Sequence, residues 1–336
     1  MEYKYTVCNW CFTYNHADYI TEALDSFANQ ITNFDVINVV VDDASTDGEQ
    51  PVIKKWANEK LDFDDKTLTN NKQLPYGRLI HGRCKTHTNL QFVFLLLKDN
   101  HYQHGRNNEK IEYISEWTIN SKYLTICEGD DFWIDPNKLT KQVKALDSHP
   151  ETDMCACSAY VYKEGKTIGK MAPYDYDTII PLDNVILGGG GYLATNSLMY
   201  RSSIHKSNQI WRQNWLDYFL QVAGALRGGI LYLSDYMAAY RYLSANSWSA
   251  STYKQYDVRF KHEYKALATS ILMDVETGYE HSEIIEQANV DTLFVLFRYG
   301  LLSNKYNRAL RRMSLGSRLK LLSQMIMKTF FPNFNF

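Results

Sequence analysis

The chain has 336 residues, of which 45% are hydrophobic and 22% charged, so it is not disordered as a whole and is long enough for one large domain. The formal net charge of −2 gives no overall electrostatic case for a nucleic-acid partner. No run of about 18 apolar residues offers a membrane span, and the first residues carry no signal-peptide pattern.

The six cysteines are expected to be buried, reduced thiols. Cys8 and Cys11 form a CxxC pair, but in a strand this spacing directs the two side chains to opposite faces, which argues against a shared metal or redox site. Reduced thiols and the absence of a signal pattern together predict a cytoplasmic protein.

Strands and helices alternate in the first part of the chain. Apolar strands are predicted at 5–13 and 35–41, and a helix follows each of them, with Asn15 as a candidate cap and Pro51 in the first turn of the second helix. This order predicts a mostly parallel sheet with right-handed crossovers. Ligands bind such sheets beyond the carboxyl ends of the strands.

Two acidic loops each follow directly after a strand. The first is DDASTDG at 42–48, and the second is EGDD at 128–131, after an apolar strand at 123–127. Both loops should therefore face the same crevice. Crowded carboxylates raise one another's pKa unless a cation lies among them, and oxygen ligands suit Mg²⁺ or Mn²⁺. The alternative for 128–131 is a solvated acidic turn.

The middle of the chain contributes further strands and two candidate polar loops. Residues 61–90 are polar and irregular, and we interpret them as a surface insertion. A strand at 91–97 is followed by a loop at 101–108 that brings Arg106 to the same edge of the sheet. Four glycines at 188–191 match no dinucleotide fingerprint. Asp217 begins a helix but lies off its apolar stripe, so it is either a first-turn cap or a crevice residue.

The last part of the chain is predicted to be helical. Helices are expected at 256–276, 282–299 and 304–329, which divides the chain into a domain at 1–250 (halves 1–135 and 136–250) and a helical region at 251–336. From 303 onward there is no Asp or Glu but several Lys and Arg. This basic amphipathic pattern predicts peripheral contact of 304–329 with an anionic membrane, as on the inner face of the plasma membrane. The alternative is a helix docked on the domain with a solvated basic face.

Four motifs, in order and at sensible spacing, resemble family 2 glycosyltransferases of the GT-A fold. The motifs are TYN at 13–15, DDASTDG at 42–48, CEGDDFWIDP at 127–136, and the segment from Asp217 through the YR at 240–241. The third resembles the metal-binding region of a bacterial capsule- and lipopolysaccharide-type subgroup. The resemblance covers about residues 5–249 and implies an α/β, GT-A (Rossmann-like) fold with a mixed, mostly parallel sheet.

The resemblance also implies a role for each matching position. Thr13, Tyr14 and Asp43 would hold the nucleotide, with Asp43 accepting from the base edge. The remaining predicted donor-binding residues are Asn15, Ser45, Asp47, Arg106, Glu128, Asp131 and Arg241. Asp130 would bind Mn²⁺ or Mg²⁺, and Asp217 would be the general base.

Three features depart from the family pattern. Glu128 replaces the first Asp of the metal motif, the 61–90 stretch is longer than usual, and Tyr242 follows the YR where subgroup members often have His.

These observations predict a metal-dependent, inverting glycosyltransferase. It would move a sugar from a nucleoside diphosphate sugar, expected to be a UDP-sugar, to a hydroxyl of a glycan or lipid-linked glycan in surface polysaccharide biosynthesis. The alternatives are a catalytically silent sugar-nucleotide-binding relative and a nucleotidyltransferase. The latter usually needs a Gly-rich basic phosphate loop near the first strand, and 13–16 offers none.

Overall fold

A computed structural model describes residues 3–63, 72–208, 210, 216–244, 256–298, 314–319 and 323. The strands are β1 (Tyr5–Thr13), β2 (Val36–Asp42), β3 (Leu61–Asp62), β4 (Lys72–Leu74), β5 (Gly77–Cys84), β6 (Leu90–Leu97), β7 (Ser121–Ile126), β8 (Phe132–Trp133), β9 (Met154–Lys163), β10 (Lys166–Met171), β11 (Thr178–Ile180), β12 (Met199–Arg201) and β13 (Ile230–Arg241). The helices are α1 (Ile20–Ala28), α2 (Glu49–Lys60), α3 (Asn107–Tyr113), α4 (Ser115–Ile119), α5 (Lys138–Ser148), α6 (Leu182–Gly188), α7 (Ser203–Ser207), α8 (Asp217–Ala225), α9 (Tyr256–Glu276) and α10 (Ser282–Arg298).

One large sheet runs through the described chain in the order β11-β13-β9-β12-β7-β1-β2-β6-β5-β3. Its centre, β7-β1-β2-β6, is parallel. On one side β12 runs antiparallel to β7 and β9, and on the other β5 runs antiparallel to β6. This is the predicted mixed, mostly parallel α/β fold. Every residue of β2 and β6 is buried, as their unbroken apolar runs require.

Helices cover both faces of the sheet, so two apolar clusters form. Cys8 and Trp10 belong to the cluster on one face, and Val7 and Cys11 belong to the other. The CxxC pair is therefore split between faces as predicted. All six cysteines are free and buried.

The interpretation of 61–90 as a surface insertion is wrong. Within it, residues 77–83 of β5 pair with β6, and Leu79 and Ile80 are buried. Polar residues in this strand interrupt the apolar pattern by which a buried strand is predicted. One of them, His81, is nevertheless buried, and its Nε2 lies 3.2 Å from Gln91 Oε1. The stretch extends the parallel sheet by an antiparallel edge.

Two smaller predictions also need correction. Asn15 does not cap α1, because its backbone has φ +58° and its side-chain oxygen instead accepts from Thr46 N at 2.7 Å. The sequence predicts only a short strand at 230–233, but the structure has one continuous strand, Ile230–Arg241, whose pairing with β9 shifts register between Leu233 and Ala238.

Helices α9 and α10 follow the sheet domain as predicted. The residue just before α10, His281, contacts α6, because its Nδ1 lies 2.5 Å from Asp183 Oδ1. Most of the predicted helix at 304–329 lies outside the described residues, so its membrane contact stays a prediction. No helix in the described part of the chain is long and apolar enough to cross a membrane.

Candidate active site

The two acidic loops meet at the carboxyl end of β1. Asp43 N donates to Thr13 O at 3.0 Å, and Gly129 N donates to Phe12 O at 3.1 Å. The end of β1 is thus held between the loop that follows β2 and the loop that follows β7. The parallel strand order produces this arrangement, as the sequence predicted.

Asn15, Ser45 and Asp47 shape the first loop mainly by accepting from backbone amides. Ser45 Oγ accepts from Asn15 N at 2.9 Å, and Asp47 Oδ2 accepts from Ala17 N at 2.9 Å. Asp47 Oδ1 also accepts from Glu49 N at 3.1 Å, which secures the start of α2. The backbone at Asn15 and Ala44 is left-handed, so these bonds hold a loop that the chain would not otherwise favour.

Glu49 is a central residue of this site that the sequence analysis did not identify. It is fully buried, its Oε1 accepts from the Thr13 hydroxyl, and its Oε2 accepts from His16 N at 2.9 Å and from Ser45 Oγ at 2.8 Å. Burial, only partly offset by these bonds, raises the pKa of Glu49 to about 7. Its position just after the DDASTDG motif was the available signal.

A carboxyl with a raised pKa makes folding stability depend on pH. The unfolded state releases the Glu49 proton near pH 4.5 while the folded state keeps it until about pH 7, so this group lowers stability as pH rises across that window. The shift corresponds to about 3 kcal/mol. In Glu49→Gln, whose amide mimics the protonated acid, we expect this component of the pH dependence to be absent.

Urea unfolding of wild type and variant at several pH values checks this expectation. Glu59→Gln, an exposed change on the same helix, is the matched control and should keep the wild-type slope. A Glu49→Gln curve that runs parallel to wild type from pH 4.5 to 7 would contradict the expected role of Glu49.

The carboxylate of Asp43 is buried and holds the segment after β6. Its Oδ1 accepts from His101 N at 2.7 Å, and its Oδ2 accepts from Tyr102 N at 3.0 Å and from Lys110 Nζ at 2.8 Å. Lys110 was not identified from the sequence, although a buried ion pair of this kind needs both partners. A carboxylate offers about four acceptor positions, so a position for a nucleotide base remains.

Tyr14 and Arg106 also lie near the 101–110 segment. The Tyr14 hydroxyl accepts from Gln103 Nε2 at 3.4 Å. Arg106 precedes α3 and lies 3.7 Å from Glu109 Oε2 through its Nη1. Both are placed at the predicted edge of the sheet, and their donor contacts remain predictions.

Arg241 joins the second acidic loop to α1. Its backbone N donates to Asp131 Oδ1 at 2.7 Å, and its guanidinium donates to the Asp130 carbonyl and to the Glu22 carboxylate. The guanidinium also lies over the rings of Tyr19 and Phe132, 4.8 and 4.7 Å from their centroids. In this structure Arg241 therefore positions the loop, and its contact with the donor stays a prediction.

Gly129 allows the second loop to lie against Thr13. A Cβ at this position would lie 2.0 Å from Thr13 Oγ1 and 2.5 Å from Thr13 Cβ, closer than atoms can approach. We expect Gly129→Ala to destabilise the fold by about 1–3 kcal/mol through overpacking, and to displace Asp130. Thermal unfolding checks this, with Gly169→Ala as control because a Cβ there meets nothing closer than 3.9 Å. Equal melting temperatures for the two variants would contradict the expected close packing.

The carboxylates of the second loop repel one another. Burial and the charge of Asp130 raise the pKa of Asp131. The Glu128 side chain is open to water, yet surrounding protein desolvates it, and this effect together with Asp130 and Asp217 raises its pKa to about 8. Lys110 opposes this shift. A cation among these groups would favour their ionised forms.

Asp217 is the first residue of α8. Its Oδ2 accepts from Thr195 Oγ1 at 2.5 Å, and desolvation by surrounding protein raises its pKa although water reaches the residue. The effect of Asp217 on Glu128 places the two carboxylates within electrostatic range. The start of a helix is compatible with both sequence interpretations of Asp217, so its role as a crevice residue stays a prediction.

The acidic loop fits a divalent cation that arrives with a phosphate ligand. In the described part of the chain, no three His, Cys, Asp or Glu side chains converge as a metal cluster. Mg²⁺, however, is commonly held by one or two carboxylates together with substrate phosphates. Asp130, which is buried and whose Oδ2 accepts from the Ser244 hydroxyl, is the carboxylate that fits this purpose.

Comparison with known proteins identifies similar sequences and folds. Residues 12–82 match the model of Glycosyl transferase family 2. An uncharacterized protein of Mycobacterium tuberculosis (strain H37Rv) is 29% identical over 315 residues, which cover 93% of this chain and 80% of that protein. A Mycobacterium bovis protein, also uncharacterized, matches at the same identity and coverage.

Two solved structures share the fold over nearly the whole chain. S. aureus TarS 1-349 in complex with UDP-GlcNAc aligns with TM-score 0.57 at 16% identity, over 96% of this chain and 81% of that one. Mannosyltransferase PcManGT from Pyrobaculum calidifontis, in complex with GDP-Man and Mn²⁺, aligns with TM-score 0.50 at 14% identity, over 98% and 82%. The match at residues 12–82 agrees with the predicted family, and the neighbours confirm the predicted fold.

Proposed function

We propose that this chain, which shares the fold of GT-A glycosyltransferases and matches Glycosyl transferase family 2 at residues 12–82, moves a sugar from a UDP-sugar to an acceptor hydroxyl with inversion at the anomeric carbon. The acceptor would be a glycan or lipid-linked glycan of a surface polysaccharide. The likeness of residues 127–136 to the capsule- and lipopolysaccharide-type subgroup supports this acceptor class.

One observation carries the proposal. The charges of Asp130 and Asp217 both raise the pKa of Glu128. This nearness supports a crevice bordered by a cation-binding carboxylate and a candidate base. Sugar transfer needs a stabilised leaving diphosphate on one side of the donor sugar and a proton acceptor for the incoming hydroxyl on the other.

The residues of the chain would divide the work as follows. A divalent cation, when bound, would stabilise negative charge on the leaving diphosphate as a Lewis acid, and Asp130 would hold it. The nucleoside would be held by the first acidic loop and the end of β1. The residues concerned are Thr13, Tyr14, Asn15, Asp43, Ser45 and Asp47. Asp217 would accept the proton of the attacking hydroxyl at its carboxylate. A single base and a single displacement give inversion.

Donor binding and turnover test the proposal together. We expect UDP-GlcNAc with Mn²⁺ to raise the melting temperature more than either alone, because a ligand of the folded state stabilises it by mass action. GDP-mannose is the comparison donor. Slow release of UDP from the purified protein would then separate an active enzyme from a catalytically silent relative.

Two outcomes would overturn parts of the proposal. Stabilisation by GDP-mannose but not by any UDP-sugar would overturn the choice of nucleotide. Stabilisation without UDP release, in the presence of glycan acceptors as well, would favour the silent binding protein.

A further inference from the structure

His16 lies between the two acidic loops with one ring nitrogen unused. The residue is 7% exposed, and its Nδ1 lies 3.3 Å from Thr13 Oγ1. Its Nε2 is buried, has no hydrogen-bond partner among the described residues, and lies 3.9 Å from Asp130 Oδ2. The sequence offered no His next to the EGDD loop, and the fold brings this one in from the end of β1.

The hydrogen-bond chain behind His16 determines which nitrogen carries the proton. When Glu49 is ionised, the Thr13 hydroxyl donates its only hydrogen to Glu49. Thr13 Oγ1 can then only accept, so Nδ1–H of a neutral His16 donates to it. Nε2 then carries a lone pair and no hydrogen, and it lies 3.9 Å from Asp130 Oδ2.

Two acceptors that face each other across a short gap call for a positive ligand between them. Metal–ligand bonds of roughly 2.1 Å on each side span up to roughly 4.2 Å, so a separation of 3.9 Å accommodates one ion. A protonated His16 paired with Asp130 is the competing arrangement. The two atoms lie 3.9 Å apart, farther than a hydrogen bond reaches, so Nε2 does not donate to Asp130 in this structure.

We propose that His16 Nε2 binds the divalent cation directly beside Asp130 and makes the site prefer Mn²⁺ to Mg²⁺. The inference rests on the proposed function, because the ion is the one that accompanies the donor diphosphate. The preference follows from ligand chemistry: imidazole suits transition metals, whereas Mg²⁺ prefers an all-oxygen shell. Thr13 and Glu49 are then positioning residues that fix the orientation and the tautomer of the ring, as partners behind a metal ligand commonly do.

Pulsed electron paramagnetic resonance of Mn²⁺ tests direct coordination without measuring activity. The sample is the full chain at pH 8 with Mn²⁺ and UDP, prepared once with natural histidine and once with ¹⁵N-labelled histidine. A coordinated imidazole nitrogen gives strong ¹⁴N modulation of the Mn²⁺ echo, and labelling should replace it with the ¹⁵N pattern. This comparison needs no variant, so misfolding cannot obscure it.

Variants extend the test to affinity and selectivity. We expect His16→Ala to weaken Mn²⁺ binding by roughly 10–100-fold, the range found when the shell around a metal is damaged. Mg²⁺ binding should weaken less, so the ratio of Mn²⁺ affinity to Mg²⁺ affinity should fall. His104→Ala, in an exposed turn, is the matched control and should bind as wild type does.

The outcomes separate this inference from the proposed function. If Mn²⁺ binds wild type with UDP but labelling leaves the modulation unchanged, His16 is not a ligand and the proposed function stands. Wild-type Mn²⁺ affinity in His16→Ala leads to the same conclusion. If Mn²⁺ does not bind wild type even with UDP, the metal dependence in the proposed function fails as well.

Discussion

Asp217→Asn is expected to reduce sugar transfer by about 10²–10⁴-fold, the usual contribution of a positioned general base. Asn keeps the size of the side chain and can still accept from the Thr195 hydroxyl, but it cannot take the proton of the acceptor. Donor binding should change little. The measurement is the rate of transfer at saturating donor, together with the melting temperature with and without UDP-GlcNAc and Mn²⁺.

This substitution also separates the two interpretations of Asp217. If the residue were only the first-turn acid of α8, Asn at the start of a helix would serve nearly as well, and neither stability nor rate would change much. Asp175→Asn, another exposed carboxylate on the same half of the domain, is the control and should keep full activity. Transfer at the wild-type rate by Asp217→Asn would remove it from the mechanism.

Asp130→Asn is expected to lower transfer by about 10³-fold and to abolish the stabilisation that Mn²⁺ adds to UDP. Lewis-acid stabilisation of the leaving group is worth several kcal/mol, and each 1.4 kcal/mol is a factor of ten in rate. Asn can still accept from the Ser244 hydroxyl, so the local packing should survive. Removing one charge from the group around Glu128 and Asp131 should also raise the melting temperature in the absence of metal.

Thermal unfolding of Asp130→Asn with UDP alone and with UDP plus Mn²⁺ checks both parts. Asp235→Asn, an exposed carboxylate outside the crevice, is the control for the loss of one charge. If Mn²⁺ still adds stability to the UDP complex of Asp130→Asn, another group binds the metal, and the assignment of Asp130 is wrong.

The strands of the sheet could be predicted where an apolar run in the sequence is also buried in the core. The unbroken apolar runs of β2 and β6 have no solvent-facing positions, so their sequences alone indicate parallel central strands. The two acidic loops could be placed together because parallel strands bring their carboxyl ends to one edge. Strand β5 was not predicted because its strand conformation depends on pairing with β6 rather than on its own sequence. His81 and Gly82, for example, pair with Val93 and Phe92.

The candidate site was predictable only as far as its motifs extend. Asp130, Asp131 and Asp217 carry their chemistry in the side chain, so the sequence indicates them directly. His16, Glu49, Lys110 and Ser244 act through partners that are distant in sequence, for example Lys110 with Asp43 across 67 positions. No spacing rule encodes such a contact. The role of Arg241 differs for the same reason, since only the fold reveals that Glu22 and the Asp130 carbonyl already engage its guanidinium.

The bonds of Asp43 have a consequence for how nucleotide recognition can be studied. The carboxylate that the family motif assigns to the base also anchors the segment from His101 to Lys110 through three donors. A variant at Asp43 would therefore lose the base contact and release a neighbouring surface segment at the same time. A measurement of nucleotide affinity alone would not separate the loss of the base contact from the release of the segment. If Asp43 binds the base as the resemblance implies, recognition of the base and the order of this segment are coupled. Protease sensitivity of the segment would measure its order separately.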